Sequence, residues 1–94
     1  MSTRIMAIDY GDQRIGLAVT DPLGILAGEA WTMDEWAMER AAARIAEEAR
    51  KRDVSRFVLG LPKNMDGTEG PRAEKSREFK ALLENQSGLE VILW

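Results

Sequence analysis

The sequence predicts one α/β domain over residues 1–94: a mixed sheet of three antiparallel strands, then helix, strand, helix, strand. Three observations carry this. Short apolar runs separated by turn residues fill the first third of the chain, two later stretches repeat apolar residues at helical spacing, and a short apolar run follows each of them. A helix between two strands, twice over, implies crossover connections and parallel pairing of the last two strands. At 94 residues there is room for a single core.

The first strand is RIMAIDY, residues 4–10, with Ile5, Ala7 and Asp9 on one face and Met6, Ile8 and Tyr10 on the other. It is apolar on both sides until it meets Asp9, as a central strand would be. YGDQ supplies a turn, and RIGLAVTD alternates Ile15, Leu17 and Val19 with smaller residues, completing a hairpin. DPLG, with Pro22 at its first central position, is a second turn before a weaker third strand over 25–33. Thr32 and Glu35 have capping-box spacing, and Met38, Ala42, Ile45 and Ala49 then recur at steps of four, three and four, predicting a helix over 34–52. Its last turn, ARKR, puts cations where the helix dipole favours them. RFVLG is a short buried strand, LPKNMDGTEG a loop, and Pro71 a natural first residue for a helix over 71–85 with Phe79, Leu82 and Leu83 inward. Gly88 follows that helix, and LEVILW closes the sheet.

Composition narrows the function. The chain is 45% apolar and 31% charged, with no run approaching the roughly 20 apolar residues that span a bilayer and no leader-like N-terminus. The absence of cysteine removes disulfides and thiolate metal sites and fits a cytoplasmic location. The absence of histidine removes the Ser-His and Cys-His dyads and imidazole ligands. Carboxylates, lysines, hydroxyls and backbone remain. A net charge of -3 offers no global attraction to nucleic acid, so any such binding needs a local basic patch.

Asp9 ends the first strand at the carboxyl edge, where ligands bind in open α/β sheets. Two readings fit it. As a turn residue it caps the Gly11–Asp12 turn through backbone N–H groups. As a hard oxygen ligand it holds Mg²⁺ or Mn²⁺, ions usually bound by one or two carboxylates with waters and substrate phosphates.

Three stretches carry a resemblance: IMAIDYGDQRIGLAVTDPLG, FVLGLPKNMDGTEGPRAEKSREF and LEVILW. In this order, and over essentially the whole chain, they resemble the YqgF family, also called RuvX or Holliday-junction-resolvase-like, of the ribonuclease H-like superfamily. The D-x-G-x-x-R-I-G element is moderately specific and GLPKNMDGTEGPRA highly so. The resemblance implies a ribonuclease H-like fold and a bacterial cytoplasmic nuclease that matures the 5′ end of pre-16S ribosomal RNA, with resolution of branched DNA as the alternative. It also implies Mg²⁺ or Mn²⁺ as cofactor, and Asp9 as catalytic, metal-ligating aspartate. In such chemistry two ions about 4 Å apart stabilise the attacking water and the leaving oxygen.

The family pattern continues past the last strand into an acidic D-E-R-x-[ST]-T motif and a helical segment with a further aspartate. Relative to that pattern the chain is C-terminally truncated at Trp94; Asp12, Asp21 and Asp66 are loop candidates to substitute for the missing acids, against the reading that they are solvated loop charges. Nucleic-acid and phosphate contacts are expected at Gly11, Arg14, Lys63, Asn64, Gly67, Thr68 and Arg72, near the N–H groups that open the second helix. Lys75, Arg77 and Lys80 read instead as a solvated face pairing with Glu74, Glu78 and Glu84. Trp31, Trp36 and Trp94 read as core or edge cover.

Two other classes compete. The sugar-kinase and actin-like ATPases also place D-x-G after a strand but need two such domains around a nucleotide. A catalytically incomplete nucleic-acid-binding or interaction module would expose one sheet face and form a homodimer through it.

Overall fold

The computed structural model describes residues 4–11, 14–20, 29–35, 37–60 and 70–94. The elements are β1 (Arg4–Tyr10), β2 (Arg14–Val19), β3 (Ala30–Asp34), α1 (Met38–Lys51), β4 (Val54–Leu59), α2 (Pro71–Ser87) and β5 (Glu90–Leu93). They form one five-stranded sheet in the order β3-β2-β1-β4-β5. The β1–β2 and β2–β3 pairs are antiparallel, while β1–β4 and β4–β5 are parallel, as the two helical crossovers require.

Register decides which residues face the helices. Met6 lies between Val19 and Phe57, and Ile8 between Leu17 and Leu59, so the bulky residues of three strands meet on one face. Against it α1 buries Ala41, Ala42, Ile45, Ala46 and Ala49, and α2 buries Ala73, Ser76, Phe79 and Leu83. The alanines let the two helices pack against each other as well as against the sheet. Tyr10 joins from the end of β1, its ring stacked on Phe79 at 4.5 Å between centroids. The alternate residues Ala7, Asp9, Ala30, Thr32 and Ile92 are exposed on the other face, which neither helix covers.

The predicted boundaries need four corrections. The third strand starts at Ala30, after Glu29, and reaches Asp34, one residue past the expected end, while residues 25–28 of the expected strand lie outside the described residues. Helix α1 starts at Met38, not near Asp34, because pairing with β2 holds Asp34 opposite Arg14 and Thr32 opposite Gly16. The capping box therefore does not form: Ala37 is the N-cap without a side-chain bond, and Glu35 Oε1 accepts from the Ala37 N–H at 3.4 Å. Strand β4 begins earlier than predicted, at Val54, just after Asp53 takes a left-handed φ of 57°.

Helix α2 continues to Ser87 and stops at Gly88, whose φ of 73° suits glycine. Ser87 Oγ reinforces that end, donating to the Leu83 carbonyl and accepting from the Leu89 N–H. Of the tryptophans, Trp31 packs against the core beneath the Arg52 guanidinium, 4.3 Å from its ring centre. Trp94, expected as cover, is 86% exposed, and Trp36 lies outside the described residues.

Candidate functional site

Asp9 stands one residue before the end of β1 and points to the open face, where Gly16 of β2 is its register partner. Thr32 of β3 continues the row. A β-carbon on Gly16 would lie 3.5 Å from the Asp9 β-carbon, so the glycine leaves the space beside the carboxylate open. With Ala7, Ala18 and Ala30, this row floors a shallow trough of about 470 Å³. The small side chains leave the trough open against the sheet, and the Asp9 carboxylate stands at one end of it.

Two connections, β4–α2 and β1–β2, converge on the same sheet edge. Gly60 donates its N–H to the Ile8 carbonyl at 2.9 Å, tying the start of the loop after β4 to the strand that carries Asp9. Because β4 and β5 are parallel, α2 must begin at this edge and run back. At its start Ala73 and Glu74 both donate to the Gly70 carbonyl. The β1–β2 turn closes there too, through a 3.1 Å bond from the Gly11 N–H to the Arg14 carbonyl. A β-carbon on Gly11 would come 2.7 Å from that carbonyl oxygen, so the turn requires glycine.

Arg14 projects from the open face one row beyond Gly16, level with Asp34. Its Nε is 3.6 Å from Asp34 Oδ1, and both side chains are about three-quarters exposed (74% and 75%). Arg40 and Arg44, on the first turns of α1, both bind Glu35, at 2.8 and 3.2 Å. The Arg40 hydrogen bond, above all, holds the Glu35 carboxyl below its ordinary range, with the Ala37 N–H and Arg44 assisting.

The remaining expected residues divide. Lys63, Asn64, Gly67 and Thr68 lie outside the described residues, as do Asp12, Asp21 and Asp66 and the side chain of Arg72. On α2, Lys80 pairs with Glu84 at 3.2 Å, in keeping with a solvated helix face, while Lys75 and Arg77 are exposed. Glu84 also accepts from the Val91 N–H at 3.3 Å, and this bond, followed by Lys80, lowers its pKa. Among the described residues no three His, Cys, Asp or Glu side chains group closely enough to hold a metal ion. Asp9 is the one carboxylate lining the trough among the described residues, a donor of the kind Mg²⁺ takes together with water and substrate phosphate.

Sequence reading missed Gly16, Thr32 and Asp34 as neighbours of the site. The signal was present in the hairpin: pairing Tyr10 with Ile15 across the turn sets Asp9 opposite Gly16.

The comparisons with known proteins agree with this architecture. A family model described as RuvX, Holliday junction resolvase, matches residues 3–94. A Myxococcus xanthus (strain DK1622) relative named "Putative pre-16S rRNA nuclease" is 44% identical over 91 residues, covering 97% of this chain and 60% of its own. One of the same name from Endomicrobium trichonymphae is 49% identical over 88 residues, covering 94% and 63%. The chain thus spans 60% and 63% of the length of these two curated relatives. The Thermus thermophilus RuvC structure matches with a TM-score of 0.69 over 98% of this chain and 63% of that one, at 15% identity, which shows a shared ribonuclease H-like fold. With the Asp9 strand, the glycine-rich loop and both helices all inside the matched segment, the chain belongs to the RuvX family.

Proposed function

We propose that this chain carries the catalytic strand of a divalent-metal-dependent nuclease that hydrolyses phosphodiester bonds, acting in the cytoplasm on the 5′ end of pre-16S ribosomal RNA. The observation that carries it is Asp9: an exposed carboxylate on the central strand, at the carboxyl edge, beside a trough that Gly16 keeps open. The names of the two relatives supply the substrate class.

Asp9 would hold Mg²⁺ or Mn²⁺, which when bound supplies charge neutralisation and a more acidic water. The chain's own residues bind and orient. Arg14 contacts a phosphate from the β2 side of Asp9, while Lys63, Asn64, Gly67, Thr68 and Arg72 serve the strand from the β4–α2 connection. Gly11 shapes the turn that sets Arg14. Branched DNA is the second substrate reading, favoured by the description of the matching family. A homodimer through the open face is the proposed assembly, since Val58 and Ile92 extend its apolar surface beyond the trough.

The test is cleavage of a pre-16S leader RNA and of a branched DNA with Mg²⁺ or Mn²⁺, with Asp9→Asn beside the unchanged chain. A loss of about 100-fold or more in the variant is expected. Equal cleavage by both proteins would remove Asp9 from the chemistry.

A further inference from the structure

The Arg14–Asp34 pair is the one ion pair at the catalytic edge built on the open face of the sheet, among the described residues. We propose that Asp34 is a built-in competitor for the phosphate position at Arg14: its carboxylate occupies the place a phosphodiester oxygen must take, so substrate binding exchanges one oxygen anion for another. This rests on the reading that a nucleic-acid strand crosses this edge.

Geometry distinguishes this pair from its neighbours. Arg40 and Arg44 are held by a Glu35 side chain that is only 13% exposed, through bonds of 2.8 and 3.2 Å, and are poorly placed to change partner. Arg14 Nε lies 3.6 Å from Asp34 Oδ1, beyond a good hydrogen bond, and the Arg14 side chain has no other ion pair or hydrogen bond among the described residues. Both groups are in water, where such a pair is weak, whereas a phosphate can take two guanidinium N–H groups at once. The backbone of Asp34 is fixed by its pairing with Arg14 and by Arg44, which donates to its carbonyl at 3.2 Å. Only the carboxylate can turn away, and it stays close enough to repel an anion that is poorly seated.

The experiment compares the unchanged chain with Asp34→Asn, Arg14→Gln and the double variant, with Glu47→Gln on the distant face of α1 as a control for net charge. Inorganic phosphate is titrated while the Arg14 Nε–Hε resonance is followed by NMR, and a single-stranded RNA oligonucleotide is titrated by fluorescence anisotropy. Asp34→Asn is expected to lower the phosphate and RNA concentrations at half-saturation about two- to fivefold. It should have no effect in the Arg14→Gln background, and Glu47→Gln should change neither titration. A gain that persists without Arg14, or a phosphate response at Arg14 unchanged or weakened by Asp34→Asn, overturns the proposal. If phosphate binding tightens while RNA binds to no variant, the competition stands and the nucleic-acid reading falls.

Discussion

The two faces of β1 differ more than any two regions of this molecule. Met6, Ile8 and Tyr10 turn toward the helices, where the first two are buried and the third stacks on Phe79. Ala7 and Asp9, between them in sequence, are exposed on a face of glycine and alanine. One strand therefore serves stability on one side and presents an exposed carboxylate on the other. The covered face is filled with large residues because burying them drives folding, at roughly 25 cal/mol per Å² of apolar area. The open face tolerates a charge because water solvates it, and its small residues leave room for a ligand.

The comparison is broken most severely on the covered side. Phe79→Ala should cost about 3–5 kcal/mol in urea unfolding, since it leaves a cavity and removes the stack with Tyr10. Ala7→Ser, on the exposed side of β1, should stay within about 0.5 kcal/mol. Gly11→Ala comes next. Its β-carbon meets backbone, not a flexible side chain, so the turn must shift, at about 1–3 kcal/mol by the same measurement.

Ser76→Ala should move the other way. The hydroxyl is fully buried and has no hydrogen-bond partner among the described residues, so its removal should leave stability unchanged or raise it by up to about 1 kcal/mol.

The smallest effect sharpens the edge of the sheet. Glu84 satisfies the Val91 N–H on the outer side of β5, and its carboxyl is held below the ordinary range by that bond and by Lys80. A lowered folded-state pKa means the contribution is present above the unfolded carboxylate pKa and is lost as pH falls through the folded one. Glu84→Gln should therefore cost about 0.5 kcal/mol at neutral pH, discounted for its exposure, and the difference should shrink as pH falls below the ordinary carboxylate range in paired urea titrations.

How much of this was legible in the sequence depended on whether a local signal had a competitor. The hairpin, both helices and the parallel strands followed from periodicity and turn residues, because nothing opposed them. The Thr32–Glu35 spacing was a sound local signal that lost to a long-range one: β2 pairs with β3 as far as Asp34, and each added strand pair outweighs one cap. Asp9 stood out by its charge inside an apolar run. Gly16, Thr32 and Asp34 carry no such flag, since only register brings them beside Asp9 and Arg14. The buried Ser76 was equally silent, because nothing in PRAEKSREF marks which polar residue faces inward.

The central claim is that the open face at Asp9 is where the chain meets a divalent ion. Titrating Mn²⁺ into the isotopically labelled protein and following paramagnetic broadening of backbone amides tests it without reference to catalysis. Broadening should begin at Asp9, Tyr10, Gly16 and Gly60 and disappear in Asp9→Asn. Broadening centred on the α1 acids Glu47 and Glu48, or unchanged by Asp9→Asn, would contradict it.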